Sequence, residues 1–225
     1  MFTKIIREIT IAARHGGGNP ESNPRLRKAI DDARNANMPQ ANVTKAIQRG
    51  TGELPGVNYE ECVYEGYGPG GVAILVEGTT DNKNRSTSEI RKIFNRYGGN
   101  LGENGCVGWM FSQKGLIQVD KKKIPEEDLL NLAIESGAED FTSDDEDVYE
   151  IITAPENLEK VKNPIEKIGI ELAEVTMVPK TYIKLDGKQA EQMLKLMDAL
   201  EEHEDVKKVY ANFDIPKKIM ETVQI

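Results

Sequence analysis

Apolar residues recur at three- to four-residue steps from Phe2 to Ile47 and then give way to short alternating or continuous runs, which divides the chain into a helical head and a mixed remainder. Phe2, Ile5, Ile6, Ile9, Ala12 and Ala13 form a stripe that predicts a helix over residues 2–15, stopped at Gly16-Gly17-Gly18, where glycine tolerates left-handed backbone. A second helix starts with Asn23 as cap and Pro24 in its first turn, with Leu26, Ala29, Ile30 and Ala33 inward. A third follows the Asn37-Met38-Pro39 break, places Val43, Ala46 and Ile47 inward and ends near Gly50. Gly52 to Gly56, with Pro55 between, is the linker.

From Val57 onward strand-like and helix-like runs alternate. The pattern predicts a strand over 72–77, a helix over 86–97 and a hairpin of 106–111 with 116–119. It continues with a helix over 126–136, a strand over 148–153, a helix over 158–168 and a strand over 171–178. A helix over 189–202 and a strand over 206–213 close the series, with an extra strand suggested at 138–142. Removing residues 123–180 leaves strand, helix, strand, strand, helix, strand, the ferredoxin-like order. The expected fold class is therefore α+β, in three domains: a basic three-helix domain (1–56), a ferredoxin-like middle domain (57–122 plus 181–225), and an inserted small acidic α+β domain (123–180).

Charge changes the picture more than bulk composition does. Hydrophobic residues make up 38% and charged residues 30% of the 225 positions, ordinary values for a chain that folds. The formal net charge of −9 is unevenly spread: residues 1–56 hold 9 Lys/Arg against 5 Asp/Glu, 57–120 hold 6 against 8, and 121–225 hold 14 against 25. A basic head on an acidic body points to phosphate at one end and away from it at the other. No run approaches the roughly 20 apolar residues of a membrane-spanning helix. Lys4, Arg7, Glu8 and Arg14 break any apolar signal core, so a soluble cytoplasmic protein is expected. Cys62 and Cys106 are far apart in no metal-ligand spacing, which leaves buried free thiols.

Phosphate contacts need Lys or Arg projected together from a rigid surface. Lys4, Arg7 and Arg14 fall on one stripe of the first helix, Arg25 and Lys28 are neighbours on the second, and Lys45 and Arg49 on the third. Solvated charge pairs, Lys28 with Asp32 and Arg27 with Asp31, are the alternative reading of these residues.

Other motifs give less. Gly66-Tyr67-Gly68-Pro69-Gly70-Gly71 fits G-x-G-x-x-G, but a strand follows where a dinucleotide site needs a helix, so a shaped turn is expected. Trp109 and Phe111 lie where an RNA-recognition motif carries stacking aromatics, without the basic and aromatic companions of that motif, and packing against a helix is expected instead. His15 and His203 have no nucleophile motif around them, and Asp144 to Asp147 lacks the spaced ligands of a calcium loop. No catalytic residue, metal, cofactor or small-molecule substrate is expected.

Longer strings carry a resemblance: FTKIIREITIAAR at 2–14, GGG-NP at 16–20, NPRLRKAI at 23–30, NMP at 37–39, YEGYGPGGVAILVE at 64–77, TDNKNR at 80–85 and GGNLGENGCVGWMF at 98–111. With them the chain resembles the YebC family, whose eukaryotic relative is the mitochondrial translational activator of cytochrome c oxidase subunit I. The resemblance implies three domains, the last inserted in the middle one, and a non-enzymatic role in gene expression. The implied partner is DNA, as for transcriptional regulators, or alternatively ribosomal RNA at the ribosome, as for translation factors. A third alternative is an adaptor that binds protein through its acidic domains. Carried onto this chain, the basic positions are Lys4, Arg7, Arg14, Arg25, Arg27, Arg34 and Lys45; Lys28 and Arg49 come from the helix faces alone. Similar proteins usually begin with a further Lys-rich stretch containing Gly-His-Ser-Lys-Trp, and this chain starts after it.

Overall fold

A computed structural model describes residues 2–216. Three helices open the chain: α1 (Phe2–Gly16), α2 (Pro24–Asn35) and α3 (Gln40–Thr51). Their core is built largely from small residues, Ala12, Ala13, Ala29, Ala33 and Ala46, around Ile9, Leu26, Ile30, Met38 and Val43. Small residues let the helix backbones approach, and Gly50 marks the limit, since a Cβ there would lie 2.4 Å from the Thr10 carbonyl oxygen. Asn23 locks the α1–α2 corner. Its side-chain oxygen caps the Leu26 N–H at 3.1 Å, while its amide donates to the carbonyls of Ala12 (2.8 Å) and Gly17 (2.9 Å).

The chain continues through β1 (Glu60–Tyr67), β2 (Ala73–Thr80), α4 (Lys83–Arg96) and β3 (Asn100–Leu101). Next come β4 (Phe111–Asp120), α5 (Glu126–Ser136), β5 (Asp140–Thr142), β6 (Val148–Thr153), α6 (Leu158–Ile165) and β7 (Ile170–Pro179). It closes with β8 (Ile183–Lys184), α7 (Gly187–Glu202), β9 (Val206–Ala211) and β10 (Phe213–Asp214). Two compact units result: residues 1–108 with 181–225, and an insert of residues 109–180.

In the first unit β3, β1, β2 and β9 form an antiparallel sheet in that order. Cys62, Tyr64, Ile74 and Val76 point from β1 and β2 to Ile90 and Phe94 of α4 and to Met193, Leu196 and Leu200 of α7. In the insert the sheet order is β5, β6, β4, β7, with α5 and α6 covering Ile117, Val119, Tyr149 and Ile151.

The α+β class, the helical head and the interruption are as expected, but the ferredoxin-like order has changed places. The insert, not the middle domain, runs strand, helix, strand, strand, helix, strand with its first strand central beside the third. In the middle domain the four-stranded sheet is built in the order β1, β2, α4, β3, α7, β9, with β8 and β10 paired in parallel as a separate two-stranded sheet. β1, whose three glutamates and glycine disguise its period, is absent from the predicted series. The expected hairpin of 106–111 with 116–119 does not form either. The N–H groups of Val107 and Gly108 are held by the Glu65 carboxylate, which keeps this stretch out of any sheet. The first strand after it, β4, runs unbroken from Phe111 to Asp120 between β6 and β7. Residues 109–122, expected in the middle domain, therefore belong with the insert.

Candidate nucleic-acid interface

The α1 stripe of Lys4, Arg7 and Arg14 exists, but it faces the middle domain. Arg7 is buried (6% exposed) and donates to Asp205 Oδ1 at 2.5 Å and to the Glu204 carbonyl at 2.6 Å, with its guanidinium 5.5 Å from the Tyr59 ring centroid. Asp205, itself 2% exposed, also accepts hydrogen bonds from Thr80 Oγ1 at 3.1 Å and from the Ser86 hydroxyl. Burial opposes its ionisation, yet the Ser86 hydroxyl, the Arg7 guanidinium and Thr80 together hold its carboxyl below the usual aspartate range. Lys4 donates to the Glu201 carbonyl, and burial lowers its pKa. Arg14 donates to the Tyr59 carbonyl at 2.8 Å.

Arg25 of α2 is engaged in the same way. Its Nε and Nη2 donate to the two Glu8 oxygens at 2.8 and 3.2 Å, and Nη2 reaches Glu61 at 2.7 Å. Lys207 approaches Glu8 to 3.0 Å. Burial works against the Glu8 charge, and Arg25 and Lys207 outweigh it, leaving this carboxyl below its ordinary range; the Arg25 pKa is raised chiefly by its hydrogen bonds to Glu8. These contacts join α1, α2, β1 and β9 within the first unit.

The remaining five cations are exposed. Arg34 pairs with Asp31 at 2.9 Å, three residues away on the same helix. Arg27, Lys28, Lys45 and Arg49 take part in no ion pair among the described residues, so the alternative pairs of Arg27 with Asp31 and Lys28 with Asp32 are not formed. On α3, Lys45 and Arg49 are one turn apart, and the helix contains no carboxylate at all. The nine predicted cations thus divide into four that build the molecule and five left on the surface of α2 and α3.

Two buried carboxylates went unnoticed in the sequence. Asp205 is the first. The second is Glu65, which accepts N–H bonds from Gly105 (2.7 Å), Val107 (2.7 Å) and Gly108 (2.6 Å), and these donors outweigh burial to keep its carboxyl ionised below the usual range. Tyr67 donates to the Cys106 carbonyl at 3.1 Å, fixing the same loop. The strings at 64–77 and 98–111 are therefore two halves of one structure. Within the first string, Pro69–Gly71 is a tight turn joining β1 to β2, with Gly70 and Gly71 at φ 73° and 81°. Trp109, expected to pack against a helix, is 67% exposed, whereas Phe111 is buried. His203 Nε2 lies 3.0 Å from Glu89, and its Nδ1 accepts the Asp205 N–H, a structural role beside the Arg7 pair. Cys62 is buried and Cys106 half-buried. Among the described residues no helix is long and apolar enough to cross a membrane, and no group of three or more His, Cys, Asp or Glu is placed to hold a metal ion.

A basic helical domain joined by the buried Arg7–Asp205 pair and more exposed ion pairs to an α+β domain, which is itself interrupted by a ferredoxin-like insert, defines a three-part architecture. Residues 1–53 match the family description "TACO1/YebC protein N-terminal domain" and residues 59–213 match "TACO1/YebC second and third domain". The chain belongs to the TACO1/YebC family. It is 59% identical to a probable transcriptional regulatory protein of Sulfurihydrogenibium sp., over 100% of this chain and 90% of the relative. With a protein of the same description from Endomicrobium trichonymphae it shares 61% identity over 98% and 89%. The crystal structure of a conserved hypothetical protein from Aquifex aeolicus superposes with a TM-score of 0.80 at 52% identity, covering 97% of this chain and 91% of that one.

Proposed function

We propose that the chain is a non-enzymatic, cytoplasmic regulator of gene expression that binds nucleic acid, in the first place DNA, through the exposed cations of its helical domain. The carrying observation is the sorting of charges: Arg27, Lys28, Lys45 and Arg49 stand exposed and in no ion pair among the described residues, and α3 holds no carboxylate beside Lys45 and Arg49. The names of the relatives support a role in transcription. The insert holds 8 Lys/Arg against 17 Asp/Glu, which equals the whole formal charge of −9. It is repelled by a phosphate backbone and is the surface on offer to a protein partner.

The test is competition between labelled duplex DNA and ribosomes at near-physiological salt. Four to five phosphate contacts give log affinity against log salt a slope of about −4 on duplex DNA. That slope, with DNA that ribosomes do not displace, is the expected result. Tight ribosome binding with weak DNA binding moves the protein to translation, and a flat salt response removes the phosphate contacts altogether.

A further inference from the structure

The helical domain is not the only basic surface in the first unit. α4 carries Lys83, Arg85, Arg91, Lys92 and Arg96, and its one carboxylate, Glu89, is 3.0 Å from His203. Ser86, Ile90 and Phe94 are buried at four-residue steps, which fixes the inward face. The outward face therefore carries Asn84, Ser88, Arg91 and Asn95, at steps of four, three and four, with Lys92 and Arg96 beside it. All six are exposed, and none belongs to an ion pair among the described residues. Such a face has no acid and no apolar residue. Its side chains are the types that donate to phosphate oxygens, and from Asn84 to Asn95 they run for about 16 Å at 1.5 Å per residue.

We infer that α4 is a second nucleic-acid contact, binding the sugar-phosphate backbone of a duplex. This rests on the proposed function and adds a separate surface to it. The duplex is favoured over a single strand because no exposed aromatic lies on this face, and single-strand grooves depend on aromatic stacking. The one nearby ring, Tyr97, lies 5.4 Å beneath the Arg96 guanidinium. One border is acidic: Tyr97, Lys195, Asp198, Glu201 and Glu202 line a cavity of about 570 Å³ between α4 and α7, which keeps the backbone on the outward side of α4. Position is secured by Asp205, which takes Arg7 of α1 on one oxygen and Ser86 of α4 on the other, so both basic surfaces belong to one body.

The experiment compares the full chain with Arg91→Gln/Lys92→Gln/Arg96→Gln and, separately, with Arg27→Gln/Lys28→Gln/Lys45→Gln/Arg49→Gln. Binding is measured across salt on a short duplex DNA, the duplex RNA of the same sequence and one single strand, after thermal unfolding has shown all three proteins equally folded. The three α4 contacts, added to the four or five of the helical domain, steepen the parent slope of log affinity against log salt on duplex DNA from about −4 to about −7, and their loss makes it shallower by about 2.7 in the α4 variant. That result on either duplex supports the inference and names the duplex served. An unchanged slope in the α4 variant beside a shallower one in the helical-domain variant overturns the inference and leaves the proposed function standing. The reverse pattern keeps α4 and removes the helical-domain assignment. Salt-independent binding by the parent chain defeats both, and tighter binding of the single strand defeats the choice of a duplex.

Discussion

The cations of α1 and those of α2 and α3 look alike in sequence and behave differently in the structure. Lys4, Arg7 and Arg14 sit at steps of three and seven on a regular stripe, which is the better pattern, yet all three are turned to the middle domain. Lys45 and Arg49 make a shorter pattern and remain in solvent. A stripe shows that side chains share a face; whether the face meets water depends on distant residues. For Arg7 that residue is Asp205, 198 positions away.

The widest separation between the two groups is expected in stability. Replacing Arg7 with Met leaves the buried Asp205 without its cation and is expected to cost about 3–5 kcal/mol in denaturant unfolding, the range for breaking a buried ion pair. A loss under about 1 kcal/mol would place Arg7 with the surface cations instead. Glu65→Gln, at the other buried carboxylate, exchanges a charged acceptor of three backbone donors for a neutral one and is expected to cost about 1–3 kcal/mol. Faster hydrogen exchange at Gly105, Val107 and Gly108 would locate that loss in the loop.

Acid sharpens the same contrast. Asp205, Glu65 and Glu8 have folded pKa values below their unfolded ones, so their stabilisation is complete above the unfolded carboxylate range of about 4 and disappears as pH falls through the lower folded values. Unfolding curves taken downward from pH 6 should therefore show falling stability, and Asp205→Asn should show a shallower fall from a lower starting point. The smallest expected change is at the surface. Lys45→Gln and Arg49→Gln should each shift stability by less than about 0.5 kcal/mol, while each makes the salt dependence of DNA binding shallower by about 0.9. A large loss of stability in either would mean that it, too, is structural.

Much of the fold was legible because local signals were strong. Asn23-Pro24 started α2 where predicted, and the limits of α5 and β6 agree with their apolar periods. The ferredoxin-like order was also legible, but assigned one unit too early. β1 hides Cys62, Tyr64 and Gly66 among glutamates, and the apolar residues around Val107 imitate a strand although their N–H groups belong to Glu65. The candidate interface was legible in residue type and not in exposure, since a sequence shows an arginine without its partner. The α4 cations were passed over although a helix was predicted over 86–97; Asn82 caps the Arg85 N–H and opens that helix at Lys83, and its outward face carries the charges.

The long reach of the Arg7 contact also bears on how the protein is made. A chain synthesised from its N-terminus presents α1 early, and its core with α2 and α3 can assemble from neighbouring residues alone. Asp205, which neutralises Arg7, emerges 198 residues later. Until then the nascent helical domain displays Lys4 and Arg7 as uncovered cations beside the ribosome that is making it, and only the emergence of Glu201 and Asp205 converts them into an internal seam.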